Sequence, residues 1–462
     1  MVFEQFYLGC LAHASYMLGS AGEAVVVDPQ RDVDIYIKAA EEHGLAIRHI
    51  FETHLHADFV SGHKELAQRT GAKIYIGRHA GASFPHIDVQ DGFELRVGRM
   101  RLAVMETPGH TPESTCLVIT DEEKSAAPWA VLTGDTLFIG DVGRPDLSKS
   151  HTPQELAGML YDSLHNKLLK LADSVLVYPA HGAGSLCGRN MRAERSSTIG
   201  TERLTNYALQ IPSRDEFVRQ LTANLPARPE YFLQDAEINR EGASALSDLP
   251  KVPAIAPAEL DALLKSGMIA LDVRPGEVFA AQHVPGSVNI ALSGQFASWA
   301  GTLLGTSSQP VLIGDSGEQI EEARMRLARV GIEHPRGYLD GGVAAWQRAG
   351  FPTAAVAQIT VQELNAALQR GSIKVLDVRR EPEWQAGHLA QADLWPLDNF
   401  HSEMPMLTGA PVAVHCKSGY RSMIACSVLQ RAGHNNVVNV VGGFDAWQEA
   451  SLPVVAGTAV GA

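Results

Sequence analysis

Apolar residues in the first half of the chain form short runs that end in polar side chains. Five such runs read "AVVVD", "HIFETH", "LAVMETPGH", "WAVLTGD" and "SVLVYPAH", and they end at Asp28, His54, His110, Asp135 and His181. Short apolar runs of this kind predict buried strands. Because side chains on loops at the edge of a sheet commonly form sites, we expect these five residues to gather at one sheet edge.

A repeat organises the second half. The stretch "IALDVRPGEVFAAQHVPGSVNIAL" (269–292) returns as "KVLDVRREPEWQAGHLAQADLWPL" (374–397), and "LDGGVAAWQRAGFP" (339–352) returns as "VVGGFDAWQEASLP" (440–453). Each copy opens with a helical pattern that leads into an apolar strand ending in Asp-Val-Arg. Strands that alternate with helices predict two α/β domains, each with a parallel sheet.

The 462 residues suggest about three domains. The segment 236–254, "AEINREGASALSDLPKVPA", is polar and weakly periodic and contains Gly, Ser and Pro, so it is predicted as a linker. The predicted boundaries are therefore 1–235 for the first domain, 255–356 for the first repeat and 357–462 for the second.

The amino-acid composition limits the kinds of molecule that the protein is expected to bind. Lys plus Arg number 38 and Asp plus Glu 52, so the formal charge is 38 − 52 = −14, which argues against a nucleic-acid binder and favours small molecules. The first residues carry Glu4 without a basic stretch and are predicted as strands, not as a signal peptide. No apolar run approaches 18 residues, so no membrane span is predicted, and five scattered cysteines favour a cytoplasmic protein.

Four motifs point to metal chemistry when taken together. "THLHAD", "PGHT", "TGDTLF" and "PAHG" follow one another in this order. The set resembles the metallo-β-lactamase superfamily over residues 1 to about 235, which implies an αββα sandwich with metal at the sheet edge. Two-metal hydrolases of that superfamily also use the Asp and adjacent His of the first motif, but here Asp58 is followed by Phe59. The core motifs leave His54, His110 and Asp135 as ligands.

Two histidines and one carboxylate with open coordination positions are typical of non-haem Fe(II) sites that activate O₂. The pattern resembles the persulfide dioxygenase branch of the superfamily, which implies one Fe(II) per chain. It also implies a low-molecular-weight thiol persulfide and O₂ as substrates, with sulfite and the thiol as products. The segment "GDTLFIGDVGRPDL" (134–147) is similar to that branch, with Arg144 and Asp146 in its Gly-Arg-x-Asp element.

Other polar residues of the first domain have two interpretations each. His56, Asp58 and His181 either orient ligands or contact substrate, or they remain from a two-metal ancestor. Tyr178 either points its hydroxyl into the pocket or packs, and Cys187 is either a redox or relay thiol or inert.

Asp28 has a simpler interpretation. It ends the first of the five apolar runs, and we expect it to tie loops together and not to bind iron.

The second repeat contains a candidate sulfur-carrying cysteine. In "VAVHCKSGYRS" (412–422), Cys416 follows an apolar strand and precedes a loop whose backbone N–H groups could surround one sulfur atom, with Lys417 and Arg421 favouring the thiolate. The loop resembles that of rhodanese, as do seven further residues of this copy. The implied loop residues are Lys417, Ser418, Gly419, Tyr420, Arg421 and Ser422, and the further matches are Asp377, Arg379, Gly387, His388, Gly442, Gly443 and Trp447.

The first repeat lacks that cysteine. Asp315 aligns with Cys416 at an offset of 101, the same offset that relates Gly341 to Gly442. Because a carboxylate cannot carry a sulfane sulfur, residues 255–356 are predicted to be a catalytically silent rhodanese-like domain. Its expected task is spacing, docking or oligomer contact, and we expect a homo-oligomer.

These resemblances imply a persulfide dioxygenase fused to a silent and then an active rhodanese domain. Cys416 would transfer sulfur among persulfide, sulfite and thiosulfate, in a direction that the sequence leaves open. The thiol also stays open among glutathione, coenzyme A and others. Two alternatives are a zinc thioesterase resembling glyoxalase II with rhodanese appendages, and a sulfur carrier that docks on partner proteins.

Overall fold

The computed structural model describes residues 1–223, 225, 228–407 and 409–457. The chain divides into two compact units, one of Met1–Leu249 with Ala328–Gly331 and one of Pro250–Leu327 with Ile332–Ala462. Among the described residues, no helix has the length and apolar character needed to cross a membrane.

Two six-stranded sheets form the first unit, in the orders β1-β2-β3-β4-β5-β6 and β12-β11-β10-β9-β8-β7. In the first sheet the β1-β2 and β2-β3 pairs are antiparallel and the remaining pairs parallel; in the second only β10-β11 is parallel. The strands are β1 Val2–Leu8, β2 His13–Ser20, β3 Glu23–Val27, β4 Ala46–Glu52, β5 Lys73–Gly77, β6 Ile87–Val89, β7 Glu94–Val97, β8 Met100–Glu106, β9 Thr115–Asp121, β10 Ala130–Gly134, β11 Leu176–Pro179 and β12 Ser197–Thr198.

Helices cover the outer faces of both sheets. Alternate apolar residues of the two sheets, such as Phe51 and Leu117, form one core between them. Tyr36 and Leu66 pack α1 and α2 on the first sheet, while Leu160 packs α3 on the second. The helices are α1 Asp34–Glu42, α2 His63–Thr70, α3 Pro153–Asn166, α4 Ile199–Thr205, α5 Arg214–Thr222 and α6 Tyr231–Glu241. This layering is the αββα sandwich expected from the sequence.

The second unit contains two copies of one α/β fold. Each has a five-stranded parallel sheet, in the orders β13-β17-β16-β14-β15 and β18-β22-β21-β19-β20. The first copy comprises β13 Ala254–Ile255, α7 Pro257–Lys265, β14 Ala270–Asp272, α8 Gly276–Ala281, β15 Val288–Asn289, α9 Phe296–Leu304, β16 Val311–Ile313, α10 Gly317–Ala328, β17 Gly337–Leu339 and α11 Gly342–Arg348. The second comprises β18 Ala357–Ile359, α12 Val361–Gln369, β19 Lys374–Asp377, α13 Glu381–Ala386, β20 Ala392–Leu394, β21 Val412–His415, α14 Tyr420–Arg431, β22 Val437–Val440 and α15 Gly443–Glu449. The repeat and the parallel α/β fold predicted from the sequence are confirmed.

One helix differs from the sequence expectation. The first residues of the predicted linker 236–254 belong to α6, which ends at Glu241 before Gly242, a glycine with φ +80°. The helix buries Tyr231 and Phe232. Its later residues include buried polar side chains, and these concealed its helical pattern in the sequence.

Candidate metal centre and sulfur-carrying loop

Three buried side chains meet at one edge of the two sheets of the first unit. His54 follows β4, His110 follows β8 and Asp135 follows β10. The Nε2 atoms of His54 and His110 lie 3.8 and 3.4 Å from Oδ2 of Asp135. The spacing allows one ion to contact all three atoms.

The hydrogen bonds of the two imidazoles favour metal binding. Nδ1 of His110 donates to the carbonyl of Arg144 at 2.9 Å, and Nδ1 of His54 lies 3.0 Å from the Thr53 hydroxyl. Both Nε2 atoms are buried and have no hydrogen-bond partner among the described residues. Burial lowers the pKa of His54 and His110, so both are neutral and offer a lone pair. The three residues therefore fit a metal ion.

His181 lies between two carboxylates beside these ligands. Its Nδ1 donates to Asp135 Oδ1 at 2.8 Å, and its Nε2 lies 2.9 Å from Asp58 Oδ2. Although burial opposes the charge, Asp135 and Asp58 raise the pKa of His181 well above its ordinary value. In this arrangement His181 lies between Asp135 and Asp58 and can hold the Asp135 carboxylate in place; the role of these residues stays a prediction.

His56 lies beside the three ligands, with its ring centroid 4.1 Å from that of His54. Its Nε2 lies 3.2 Å from Asp28 Oδ1 and 3.7 Å from Glu52 Oε2. Asp28 also accepts hydrogen bonds from the N–H and hydroxyl of Thr53, at 2.7 and 2.9 Å. Asp28 thus ties the β3 and β4 loops together, as expected, and does so with a positive φ of 52°.

Phe59 stands at the sequence position where two-metal hydrolases of the resembled superfamily have a histidine that binds the second metal. The side chain is fully buried, and its ring centroid lies 4.4 Å from that of His56 and 6.4 Å from that of His181. His13 lies on its other side at 4.1 Å. The Phe59 ring offers no ligand atom, but ligand atoms of His56, Asp58 and His181 lie within 4.8 Å of one another beside it.

Sequence analysis did not identify three residues at the centre, which are His13, Glu52 and Asn239. His13 begins β2, a strand whose alternation gave no sign of a ligand, and both ring nitrogens are buried without a hydrogen-bond partner among the described residues. Glu52 accepts a 2.6 Å hydrogen bond from Ser61 and lies 3.3 Å from Nδ1 of His63. The Glu52 position at the end of an apolar strand was the one available signal.

Asn239 of α6 was missed for a different reason, since its segment was predicted as linker. Its amide donates to the carbonyls of His56 and Phe59, both at 2.7 Å, and its carbonyl accepts from the N–H of Ser61 at 2.7 Å. One buried amide thus fixes the loop that follows His54.

Arg144 and Asp146 hold the opposite side of the centre. Arg144 donates to Asp146 through two nitrogens, at 2.6 and 2.8 Å, and its N–H donates to the carbonyl of Cys187. Its own carbonyl receives Nδ1 of His110. A Cβ at Gly143 would lie 2.0 Å from the carbonyl oxygen of Asp135, so only glycine allows this close approach.

Cys187 and Tyr178 lie in different surroundings. The Sγ of Cys187 is within 4.8 Å of ligand atoms of Asp135 and His181. Burial, with Asp58 and Asp135 nearby, raises the pKa of that thiol well above its ordinary value, which favours the inert interpretation. Tyr178 packs its ring 4.7 Å from Phe3 in the core between the sheets, which favours its packing interpretation.

A cavity of about 600 Å³ borders two of the ligand loops. Leu55, between His54 and His56, lines it, as do Pro108 and Thr111 on either side of His110. Charged groups at its wall include Lys149 and Arg240. The cavity gives a substrate of moderate size a place beside the candidate metal site.

The Cys416 loop of the second unit is built largely from backbone groups. Cys416 follows β21 and is buried, and the N–H of Gly419 donates to its Sγ at 3.2 Å. Gly419 has a φ of +103°, which aims this N–H at the sulfur. The hydroxyl of Ser422 lies 3.7 Å from Sγ and donates to Asn439 at 2.7 Å. The side chain of Asn439, which sequence analysis missed, thereby holds Ser422 in place.

The glycine pair Gly442–Gly443 packs directly against the backbone of this loop. A Cβ at Gly443 would lie 2.5 Å from the carbonyl oxygen of Cys416. Instead, the N–H of Phe444 donates to that oxygen at 2.8 Å. Gly443 is therefore required because a side chain at this position would clash with the backbone of the Cys416 loop.

Arg421 makes an ion pair that the sequence did not indicate. Its guanidinium donates to both oxygens of Glu383, at 2.6 and 2.7 Å. The expectation that Lys417 and Arg421 favour the thiolate stays a prediction, and the structure adds that the charge of Arg421 is matched by a carboxylate. Lys417 is exposed.

The first repeat, which we call the silent copy because we expect it to lack activity, keeps the frame of the second repeat. Arg274 donates to Asp272 as Arg379 does to Asp377. Trp346 donates to the carbonyl of Pro352 as Trp447 does to that of Pro453.

At the position of Cys416 the silent copy has Asp315. This residue is exposed, and its N–H donates to the side chain of Gln319 at 2.7 Å. The substitution therefore replaces the site without changing the fold.

The silent copy also touches the active loop. The Tyr420 hydroxyl donates to the carbonyl of Ala291 at 2.8 Å. A Cβ at Gly294 would lie 2.4 Å from the Tyr420 ring. The first copy thus contributes one support of the loop that carries Cys416.

Comparison with known proteins agrees with both sites. A family model for the metallo-beta-lactamase superfamily matches residues 8–181. The human "Persulfide dioxygenase ETHE1, mitochondrial" is 33% identical over 221 residues, which cover 46% of this chain and 77% of that protein. The chain belongs to the metallo-beta-lactamase superfamily. A rhodanese-like domain model matches residues 256–349 and 360–450, so two rhodanese-like domains follow the metallo-beta-lactamase domain.

Other members of the superfamily show the range of its chemistry. A hydroxyacylglutathione hydrolase of Francisella tularensis subsp. novicida is 33% identical over 183 residues, which cover 39% of this chain and 68% of that enzyme. A crystal structure of a metallo-beta-lactamase from Staphylococcus aureus covers 73% of this chain and 98% of its own, with 33% identity and a TM-score of 0.66. The protein is thus a superfamily metalloenzyme whose particular reaction depends on its own site.

Proposed function

We propose that the protein is a non-haem Fe(II) persulfide dioxygenase that also transfers sulfur through Cys416. The observation that supports this most strongly is the set of His54, His110 and Asp135, with Phe59 filling the space beside it. Similarity to the human persulfide dioxygenase supports the same substrate class. The overall oxidation is RS–S⁻ + O₂ + H₂O → RSH + SO₃²⁻ + H⁺, in which the terminal sulfur is oxidised and O₂ reduced.

His54, His110 and Asp135 would hold the iron. Bound Fe(II) with open positions supplies the activation of O₂ that this reaction needs. The chain's own residues fix the donor atoms. The backbone carbonyl of Arg144 accepts a hydrogen bond from Nδ1–H of His110, and His181 holds Asp135 through a hydrogen bond to Oδ1.

Phe59 offers no ligand atom, and its buried ring keeps water from part of the site. His56, Asp58 and His181 form a second buried group whose ligand atoms lie within 4.8 Å of one another, and we propose that this group binds no second iron.

The persulfide would enter through the cavity beside Leu55 and Thr111. The cavity volume of about 600 Å³ suits a small thiol more than a protein. Several thiols meet this condition, so glutathione, coenzyme A and other small thiols all remain candidates.

Cys416 would carry the sulfur in the second activity. A sulfane sulfur bound as Cys416–S–S⁻ would sit in the loop that donates the N–H of Gly419. An acceptor such as sulfite gives an electron pair to the outer sulfur and forms thiosulfate. The S–S bond breaks, and its electrons remain on the Cys416 sulfur. Either direction of this transfer is compatible with the loop.

A substrate comparison tests the first activity against hydrolysis. The purified protein would be given glutathione persulfide or an acyl-glutathione thioester in parallel, with O₂ uptake and thiol release recorded. We expect persulfide-dependent O₂ uptake with sulfite formed in equal amount. Thioester cleavage without persulfide-dependent O₂ uptake would instead favour the zinc thioesterase that the Francisella relative suggests.

We assign the dioxygenase to the proposed domain 1–235 and sulfur transfer to 357–462, with 255–356 silent. The last five residues of the third domain, 458–462, lie outside the described residues. Assembly into a homo-oligomer stays a prediction.

A further inference from the structure

Three arginines of the second repeat are each matched by a carboxylate. Arg379 pairs with Asp377 at 2.6 Å and Arg380 with Asp398 at 2.9 Å. The third pair, Arg421 with Glu383, is the one that involves the sulfur-carrying loop itself. No ion pair of Lys417 is found in the described part of the chain. The loop therefore has one unmatched cation where its sequence suggests two.

Glu383 is well placed to act on anions at Cys416. It is the third residue of α13, and both of its oxygens bind the guanidinium of Arg421. Although burial opposes its charge, the bond from Arg421 lowers the pKa of Glu383, so the carboxylate is ionised near neutral pH. Arg421 belongs to the same loop as Cys416, five residues further along the chain. A small anion that reaches Cys416 thus meets the charge of Glu383 as well as that of Arg421.

We propose that Glu383 is a specificity-determining residue that weakens the binding of small doubly charged anions at Cys416. The inference rests on the proposed sulfurtransferase function and names which acceptors and donors that site handles well. Sulfite and thiosulfate carry two negative charges, so they meet the repulsion twice over. A singly charged acceptor such as the cyanide ion meets a weaker repulsion.

Two acceptors separate charge from fit. Sulfite takes the outer sulfur of Cys416–S–S⁻ to give thiosulfate. The cyanide ion, which is in equilibrium with hydrogen cyanide and carries one negative charge, takes it through its carbon lone pair to give thiocyanate. In both cases the S–S bond breaks and its electron pair stays on the Cys416 sulfur. The two reactions therefore share their leaving group and differ in the charge of the acceptor.

The experiment uses the full chain, with Cys416 loaded with sulfane sulfur from glutathione persulfide under argon so that O₂ chemistry is absent. Transfer to sulfite and to cyanide is measured as kcat/KM in the wild type and in Glu383→Gln, which keeps an oxygen that can accept from Arg421. We expect kcat/KM for sulfite to rise by about 3- to 10-fold, chiefly through KM, and that for cyanide to rise by less, at most about threefold, so that the ratio of sulfite to cyanide activity increases. The gain should shrink as salt is added.

Two further variants control for structure. Glu381→Gln removes the same formal charge from an exposed position of the same helix, and it should leave the ratio of sulfite to cyanide activity near that of the wild type. Glu383→Asp keeps the charge and should also keep that ratio, even if both rates fall.

Three results would overturn the inference. The first is a sulfite kcat/KM in Glu383→Gln that is unchanged or falls in step with cyanide, which would mean that Glu383 only holds Arg421. The second is an equal rise of the ratio in Glu383→Asp. The third, no transfer to either acceptor by the wild type, would contradict the sulfurtransferase function itself and is seen before any variant is made.

Discussion

The candidate metal centre and the Cys416 loop place reactive groups at strand ends by opposite means. At the metal centre, His54, His110 and Asp135 come from three separate loops and are oriented by hydrogen bonds from still other segments. Around Cys416, consecutive residues of one loop surround the sulfur, and much of the contact is backbone. The first site depends on the whole sandwich, whereas the second can be lost by one substitution, as Asp315 shows.

The largest expected effect tests whether the cysteine loop works alone. In Cys416→Ser the sulfur acceptor is replaced by a hydroxyl, so we expect sulfur transfer to fall by at least about 1,000-fold. Persulfide-dependent O₂ uptake should persist in the same sample. Loss of both activities would favour the alternative in which the first domain is only a scaffold for a sulfur carrier.

The converse variant removes a metal ligand. His110→Ala leaves two of the three ligand side chains, and we expect persulfide-dependent O₂ uptake to fall by about 100-fold or more, with less bound iron by metal analysis. Transfer of sulfur from thiosulfate to cyanide through Cys416 is the internal control. Equal loss of that activity would show that the two sites are not separable.

A smaller effect is expected from a residue that touches no ligand side chain. Asn239→Ala removes the amide that holds the carbonyls of His56 and Phe59 and the N–H of Ser61. We expect iron affinity to fall by about 10-fold, because outer partners of metal ligands commonly contribute this much. Competition with a chelator measures it, and Glu241→Ala at the exposed end of the same helix is the matched control. Identical iron affinity in both variants would contradict a role for Asn239 in metal binding.

The smallest effect concerns the support that the silent copy gives to the active loop. Tyr420→Phe removes the hydroxyl that donates to the carbonyl of Ala291, a loss of about 1 kcal/mol of stability. Thermal unfolding and sulfur-transfer assays should show a modest decrease, at most about fivefold in rate, with O₂ uptake unchanged. Tyr338→Phe, in strand β17 of the same unit, is the control for removing a tyrosine hydroxyl. A similar decrease in transfer rate in both variants would contradict a specific role for Tyr420.

The parts of the fold that the sequence predicts are those with strong local patterns. Apolar runs that end in His54, His110 and Asp135 locate strand ends, and a motif in each loop makes the ligand set visible. The repeat makes the two rhodanese-like copies equally visible, including the loss of the cysteine at Asp315. In both cases the information lies within about ten consecutive residues.

The missed residues act across long distances in the chain. Asn239 reaches a loop 180 residues earlier, and its helix looked like a linker because its buried polar residues blur the apolar period. Glu383 lies 38 residues from Arg421. His13 stands at the start of an ordinary strand. A single sequence contains no signal for such pairings, because they depend on how the sheets pack.

We propose that one iron ion per chain, held by His54, His110 and Asp135, supports oxidation of a persulfide, and that the neighbouring group of His56, Asp58 and His181 needs no second metal. Metal-free protein would be titrated anaerobically with Fe(II) or with Zn(II) and then mixed with glutathione persulfide in an oxygen electrode. We expect O₂ uptake that rises with added iron, reaches a plateau at one iron per chain and is absent with zinc. No persulfide-dependent O₂ uptake at full iron loading, or a plateau only at two metals per chain, would contradict it.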